Sequence, residues 1–391
     1  MRRGILMLMA LLAVVSCSTV DQTAGSDYSS LYGAARSRYE SRQFGACDSL
    51  LTELSHRRLK FLQRRKVCQL MLDNAYHSDG RDLFLQVLDS RYVKRNLDRS
   101  DYKYWRTLSL IPATEAVWPA DAVSLPLLSI GPEGHDQFGI EVLGNGLSLV
   151  GMLDNCCADY CSISTALAER LGVRPIGKTV HANGNRQATS YVGVLDSLSI
   201  GGLLVRNVLV DVSDHLEAIK ETHPFDIVIG ENVLTRTGEM TIDNEAGAVV
   251  FSPEAQDLPQ NVRWRYPAHD FSVEASLNDH EIAMLLDFGN TNTRLSDVYY
   301  SRFPADESYV EGTVTTSMTD RTWTSKVYVI PEARLAFCGA ACVLSNVAIQ
   351  MEEHASGGLD GNLGVDALRR FRRIVFNPDK LYLQLIPVEP K

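Results

Sequence analysis

Past its first fifteen residues the chain has no apolar run long enough to cross a bilayer. It also carries no low-complexity tract and no basic stripe. Acidic residues outnumber basic ones, 48 to 38, for a net charge of −10. That balance excludes the footprint of a nucleic-acid binder and otherwise bears on solubility. His181, His215, His223, His269 and His354 are scattered without metal-ligand spacing. Ser162 and Ser164 lack the Gly-x-Ser-x-Gly surroundings of a nucleophile elbow. The segment Gly357-Gly358-Leu359-Asp360-Gly361 has neither the helix nor the lysine of a phosphate-binding loop, and reads as a turn. No metal site and no cofactor is therefore expected from motif spacing.

What is present is ordinary globular composition, 45% apolar and 22% charged over 391 residues, enough for two or three domains. The N-terminus is more specific. Arg2 and Arg3 precede an apolar run from Gly4 to Val15, closed by Ser16-Cys17. That order is a signal peptide. Val14-Val15-Ser16-Cys17 resembles a bacterial lipobox, which makes residues 1–17 a lipoprotein signal, Cys17 the lipidated residue and 18–26 a tether. The alternative is cleavage after a small residue, with Cys17 incidental. The lipobox reading implies a cell-envelope protein held to a membrane by its lipid. Seven further cysteines then remain, and in an exported protein disulfides are the default. Cys47–Cys68 would clip two helices, Cys338–Cys342 would close a turn, and Cys156 or Cys157 would pair with Cys161. Inert thiols are the other reading, and Cys156, Cys157 and Cys161 fit no zinc spacing.

Residues 27–112 read as helical. Tyr28, Leu31, Tyr32, Ala35 and Tyr39 recur at helical spacing, as do Leu50, Leu51 and Leu54, and then Leu59, Leu62, Val67, Leu70, Met71 and Ala75. Successive short helices resemble a unit or two of a helical-repeat array. From Pro119 onward short β-branched runs alternate with Gly, Asn and Asp, the pattern of an all-β domain. A short helix fits Ser164 to Leu171, with Ser164 as its cap.

The β region repeats itself. Leu149-Val150-Gly151-Met152-Leu153-Asp154 answers Ile282-Ala283-Met284-Leu285-Leu286-Asp287, an offset of 133 residues. Phe225-Asp226-Ile227-Val228-Ile229-Gly230 answers Leu359-Asp360-Gly361-Asn362-Leu363-Gly364 at an offset of 134. The closing strands, around Asn244 and Asn377, return to 133. Three landmarks in one order, drifting by one residue, mark two lobes: 119–257 and 258–391.

An apolar strand ending in Asp, then an apolar strand ending in Gly, then a short helix and closing hairpin, resembles the retropepsin/pepsin-like aspartic peptidases. The resemblance implies a mainly β fold: two tandem lobes, preceded here by the small helical region. It also implies a monomeric catalytic region with one catalytic aspartate per lobe, Asp154 and Asp287, acting on a peptide or protein substrate. In that family a Thr or Ser after the Asp bridges the lobes, and a Gly follows. Here copy one reads Asp154-Asn155-Cys156-Cys157, and copy two reads Asp287-Phe288-Gly289-Asn290-Thr291. Asn155 can still hydrogen-bond, Gly289 is retained, and Asn290 and Thr291 are candidates to replace lost polar contacts. Phe288 cannot supply the hydroxyl. The family's flap falls on His181-Ala182-Asn183-Gly184-Asn185, where Asn183-Gly184 favours a tight turn. Its equivalent in copy two is Met318 to Arg321, with Trp323 as a cleft aromatic.

Two functions follow. One is an aspartic endopeptidase; the other is an inactive relative that binds a peptide or protein. The localisation is separately testable: Cys17→Ser is expected to shift the protein from the membrane fraction to the soluble fraction on cell fractionation. Equal membrane association in the variant would remove the lipid anchor.

Overall fold

The computed structural model describes residues 28–78, 80–131, 136–157, 159–183, 186–214, 216–217, 220, 223–304, 309–318, 321–351 and 357–388, with only the backbone for 178–183, 186–190, 315–318 and 321–323. The signal segment with Cys17 and the flap residue Gly184 lie outside the described residues. The chain divides into a unit ending at Leu110 and a unit beginning at Ile111. Among the described residues, no helix is long and apolar enough to cross a membrane.

The first unit is all helix: α1 (28–40), α2 (Phe44–Ser55), α3 (Phe61–His77), α4 (Arg81–Asp89), α5 (Arg91–Asn96) and α6 (Arg99–Leu108). Most residues at helical spacing supply its core, with Ala35, Tyr39, Leu51, Leu54, Val67 and Leu70 buried alongside Phe84 and Leu88, whereas Leu62 of that pattern is exposed. The short helices begin at side-chain caps. Ser90 accepts from the Val93 N–H and Asp98 from the Asp101 N–H, satisfying donors that the first turn leaves free.

The second unit is the β region, in which two sets of elements follow one another in similar order. Copy one contains β1 (Glu115–Val117), β2 (Val123–Pro126), β3 (Leu128–Ile130), β4 (Gln137–Gly144), β5 (Leu147–Leu153), β6 (Cys161–Ile163), α7 (Thr165–Leu171), β7 (Arg174–Asn183), β8 (Arg186–Ile200), β9 (Leu203–Val212), β10 (Ile227–Ile229), α8 (Glu231–Leu234), β11 (Glu239–Asp243) and β12 (Ala248–Ser252). Copy two contains β13 (Val262–Arg265), β14 (Asp270–Leu277), β15 (His280–Leu286), β16 (Arg294–Leu295), α9 (Asp297–Arg302), β17 (Val310–Met318), β18 (Arg321–Phe337), β19 (Ala340–Gln350), β20 (Gly361–Leu363), α10 (Val365–Leu368), β21 (Phe371–Asn377) and β22 (Tyr382–Pro387). Ser164 caps α7 by accepting from the Leu167 N–H at 3.2 Å.

Each copy folds into its own sheet, with β10 inserted beside β5 in one and β20 beside β15 in the other. Both insertions are parallel: Ile227–Ile229 runs along Gly151–Leu153, and Gly361–Leu363 along Met284–Leu286. Parallel pairing requires a long connection, which the intervening hairpins supply. The closing strands of the two copies join in a third sheet, β2-β12-β11-β21-β22, which ties the lobes together. Asp243 and Arg373 sit opposite each other in it and form an ion pair at 2.8 Å.

The repeat extends to single hydrogen bonds. Asp226 accepts from the Val150 N–H at 3.0 Å and Asp360 from the Ala283 N–H at 2.9 Å. Gly230 and Gly364 end the crossing strands at equivalent places. A Cβ at Gly230 would overlap the Tyr160 carbonyl and lie 2.5 Å from the Cys157 carbonyl; at Gly364 it would lie 2.9 Å from the Asn290 carbonyl. In both lobes the crossing strand therefore needs glycine to pass under the aspartate turn.

The expected disulfides are corrected: all seven described cysteines are free thiols. Cys338 and Gly339 are the two-residue turn between Phe337 and Ala340, both at positive φ, whereas Cys342 stands opposite Leu335. The hairpin register therefore keeps Cys338 and Cys342 off facing positions. The Cys161 thiol instead lies 3.5 Å from both Asn232 Oδ1 and the Gly230 amide, and the Cys157 thiol lies 3.5 Å from Ser162 Oγ.

Candidate active site

The two aspartates stand just after β5 and β15, at the same point of each lobe. Their backbones are pinned identically: the Asp154 N–H donates to Ile229 O at 3.1 Å, and the Asp287 N–H to Leu363 O at 3.0 Å. Each then starts a tight turn, closed by Cys157 N–H to Asp154 O and Asn290 N–H to Asp287 O, both 3.4 Å. The turn amide two residues on donates to the carboxylate, Cys156 N–H to Asp154 Oδ1 at 2.8 Å and Gly289 N–H to Asp287 Oδ1 at 3.1 Å. One oxygen on each side is therefore fixed by the backbone.

The lobes meet here through Asn155. Its side chain, fully buried, donates to Leu286 O at 2.7 Å and accepts from the Phe288 N–H at 2.8 Å. One amide thus grips the backbone on both sides of Asp287, with an N–H donor and a C=O acceptor that a single side chain presents together. Phe288 cannot reciprocate. Its ring is fully buried against Phe138 and Phe376, with centroids 6.2 Å and 5.4 Å away. Bridging from copy one is polar; bridging from copy two is apolar. Gln137 adds a further inter-lobe bond, Nε2 to Gly289 O at 2.5 Å.

Gly289 is needed for proximity. A Cβ there would lie 2.5–2.7 Å from the carboxyl atoms of Asp154. Its counterpart in copy one is Cys156, whose thiol points into the same junction. A carboxyl oxygen of Asp154, the Cys156 sulfur and a carboxyl oxygen of Asp287 all lie within 4.8 Å of one another. A water bridging two oxygens by hydrogen bonds of about 2.8 Å each can span that distance. The Cys156 thiol also donates to Leu286 O at 3.3 Å.

Burial raises the pKa of Asp154 against the pull of the Cys156 and Cys157 amides. Burial and then the Asp154 charge raise that of Asp287, opposed by the Arg294 guanidinium, the Gly289 amide and the Cys156 thiol. Two carboxyls in one shielded junction cannot both ionise cheaply, so the pair retains a proton above the usual carboxylate range. Burial, then Asp287 and Asp154, push the Cys156 thiol up, so it stays protonated and acts as a donor. Two carboxyls and a thiol are also groups that could hold a metal ion, which residue spacing alone did not indicate.

Three contributors went unread in the sequence. Asn362 donates to Asp287 Oδ2 at 3.3 Å, from a position where copy one has Val228. Arg294 faces Asp287 from the place of Ser162 and donates to Asn290 Oδ1 at 3.3 Å. Cys156 is the third. The repeat itself holds the signal, since each is polar or bulky where the other copy is not. Asn290 and Thr291 are occupied within their own lobe, Thr291 accepting from Asn292 at 3.1 Å. Of the flap candidates, β7 and β8 pair out to Asn183 and Arg186, and β17 and β18 out to Met318 and Arg321. Trp323 stands opposite Thr316 in that hairpin.

A family profile described as aspartyl protease matches residues 140–233. Among curated proteins none matches the sequence. The aspartic proteinase from Irpex lacteus is a similar solved structure, 12% identical with a TM-score of 0.43, over 68% of this chain and 97% of that one. Basic 7S globulin from soybean is 13% identical with a TM-score of 0.42, over 68% and 95%. A retropepsin-like aspartic protease from Rickettsia conorii is 17% identical with a TM-score of 0.24, over 36% and 92%.

Asn155→Ala is expected to destabilise the protein by about 2–4 kcal/mol, because it strands a buried carbonyl and a buried N–H. Urea unfolding measures this; a change below about 0.5 kcal/mol would mean the lobes do not depend on that bridge. The aspartyl protease profile thus matches the first lobe, and the second lobe repeats the same aspartate turn and crossing strand.

Proposed function

We propose that the protein is an exported aspartic endopeptidase, tethered to a membrane through Cys17 and using Asp154 and Asp287 as its dyad. The observation that supports this most is the symmetric delivery of two carboxyls, each held by its own turn amide, to one junction between the lobes. The ionised carboxylate takes a proton from a water while the protonated one donates to the substrate carbonyl oxygen. The water oxygen forms the new bond to carbon. The tetrahedral adduct then collapses, the C–N bond breaks, and the leaving amine carries off a proton. No covalent enzyme intermediate is needed.

Asp287 is the better-supported acid. Burial and then the Asp154 charge push its carboxyl up to about 7, against the pull of the Arg294 guanidinium, the Gly289 amide and the Cys156 thiol, whereas burial of Asp154 is opposed by two turn amides, which favours its charged form as the base. A second reading, a peptide-binding relative without turnover, is favoured by two features. Cys156 brings a side chain into the junction where copy two has only glycine, and Phe288 replaces the hydroxyl of the family's second bridge.

Activity needs one proton on the pair, so the profile is expected to be bell-shaped. It falls at low pH as both carboxyls protonate, and again as pH rises past the raised second ionisation. Cleavage of a diverse peptide library between about pH 3 and 7, inhibited by pepstatin and reduced at least about 100-fold in Asp287→Asn, is the expected result. Cleavage unaffected by the variant would discard the dyad. No cleavage of any peptide would favour the binding reading.

A further inference from the structure

We propose that Asp154, Cys156 and Asp287 together form a site for one borderline-soft divalent cation such as Zn²⁺, whose occupancy switches the peptidase off. This rests on the dyad reading above and names a regulator for the same groups. The donor set carries the argument. Two carboxylate oxygens and one sulfur converge from both lobes, all within 4.8 Å of one another. Zinc takes oxygen at about 2.0 Å and thiolate sulfur at about 2.3 Å in tetrahedral geometry. Ligand atoms around one ion are then roughly 3.5 Å apart, so closure needs about 1 Å of side-chain movement.

The surroundings suit a divalent ion. With all three ligands deprotonated, their negative charges are balanced by one divalent cation and the Arg294 guanidinium facing Asp287. The outer partners that orient ligands are already in place: the Cys156 and Gly289 amides hold one oxygen of each aspartate, and Asn362 holds Asp287 Oδ2. Three protein ligands leave a fourth position for water. The sulfur selects against Mg²⁺ and Ca²⁺, which prefer all-oxygen shells. Binding releases the thiol proton and the proton shared by the carboxyls to solvent. With both carboxylates ligated, neither can exchange a proton with water or substrate.

The test uses the purified full chain, stripped with a chelator and titrated with Zn²⁺ against a chromogenic competitor, with Co²⁺ as the spectroscopic probe. One equivalent is expected to bind, Co²⁺ to show a thiolate charge-transfer band, and excess Mg²⁺ not to compete. Cys156→Gly, which restores the residue of the other copy, and Cys156→Ser should each abolish the band and weaken Zn²⁺ at least about 10-fold. Cys157→Ser should leave both unchanged. Absence of stoichiometric binding, or undiminished binding in both folded Cys156 variants, overturns the site. A metal-free protein that cuts peptides and ignores Zn²⁺ overturns the metal inference alone. One that binds Zn²⁺ through Cys156 yet never cuts upholds the metal site and counts against the peptidase.

Discussion

The Asn155 side chain spans the seam between the lobes and holds the backbone on both sides of Asp287. Everything at the site depends on that span. Bringing two carboxyls into one shielded junction is costly, because each opposes ionisation of the other and neither is fully hydrated. The lobes would relieve that cost by drifting apart. Asn155, the Phe288 ring in its aromatic socket and the shared five-stranded sheet oppose that drift, by hydrogen bonding, apolar burial and strand pairing respectively. Proximity of the aspartates is thus a property of the interface, while the orientation of each is a property of its own turn.

The two lobes share backbone geometry at the site and differ there in side chains. Backbone groups remain equivalent: the pinning bonds, the turn amides, and the crossing strands beneath them. Side chains do not. Copy one supplies the polar bridge and the thiol; copy two supplies the apolar anchor, the guanidinium and the amide of Asn362. Backbone geometry survives substitution because it depends on strand pairing and on glycine at the crossings, whereas side-chain chemistry changes freely around it. The outcome is a pair of carboxyls in unlike surroundings, which is what assigns them different roles.

Much of this was legible in the sequence, for physical reasons. The offset between Asp154 and Asp287 marked equivalent turns because strand lengths and glycine positions are fixed by packing. The apolar spacing of the N-terminal helices likewise became their core. The Asn155 bridge was half visible, since an amide was recognisable as a hydrogen-bonding group, but not its reach to two backbone atoms at once. Cys156 suggested a disulfide, because an exported protein favours one; only the fold shows its sulfur facing two carboxyls and not another thiol. Asn362 was hidden by distance along the chain, since parallel insertion of β20 brings it to Asp287 from 75 residues away; Arg294 lies close in sequence, but its facing of Asp287 follows from the pairing of β16 with β20.

The central claim is that Asp287 shares a proton with Asp154 in a shielded junction. A carboxyl whose folded pKa is raised stabilises the fold below its unfolded value, about 3.9. It loses that advantage as pH rises through the folded value. The direct measurement is the unfolding free energy of the wild type and Asp287→Asn across about pH 4 to 7.5. The account predicts near-equal stability at the acid end and a variant more stable by about 1–3 kcal/mol at the neutral end, as the wild type alone takes on a second buried charge beside Asp154. A variant equally or less stable at neutral pH would contradict it, showing Asp287 to be an ordinary ionised carboxylate and no member of a proton-sharing pair.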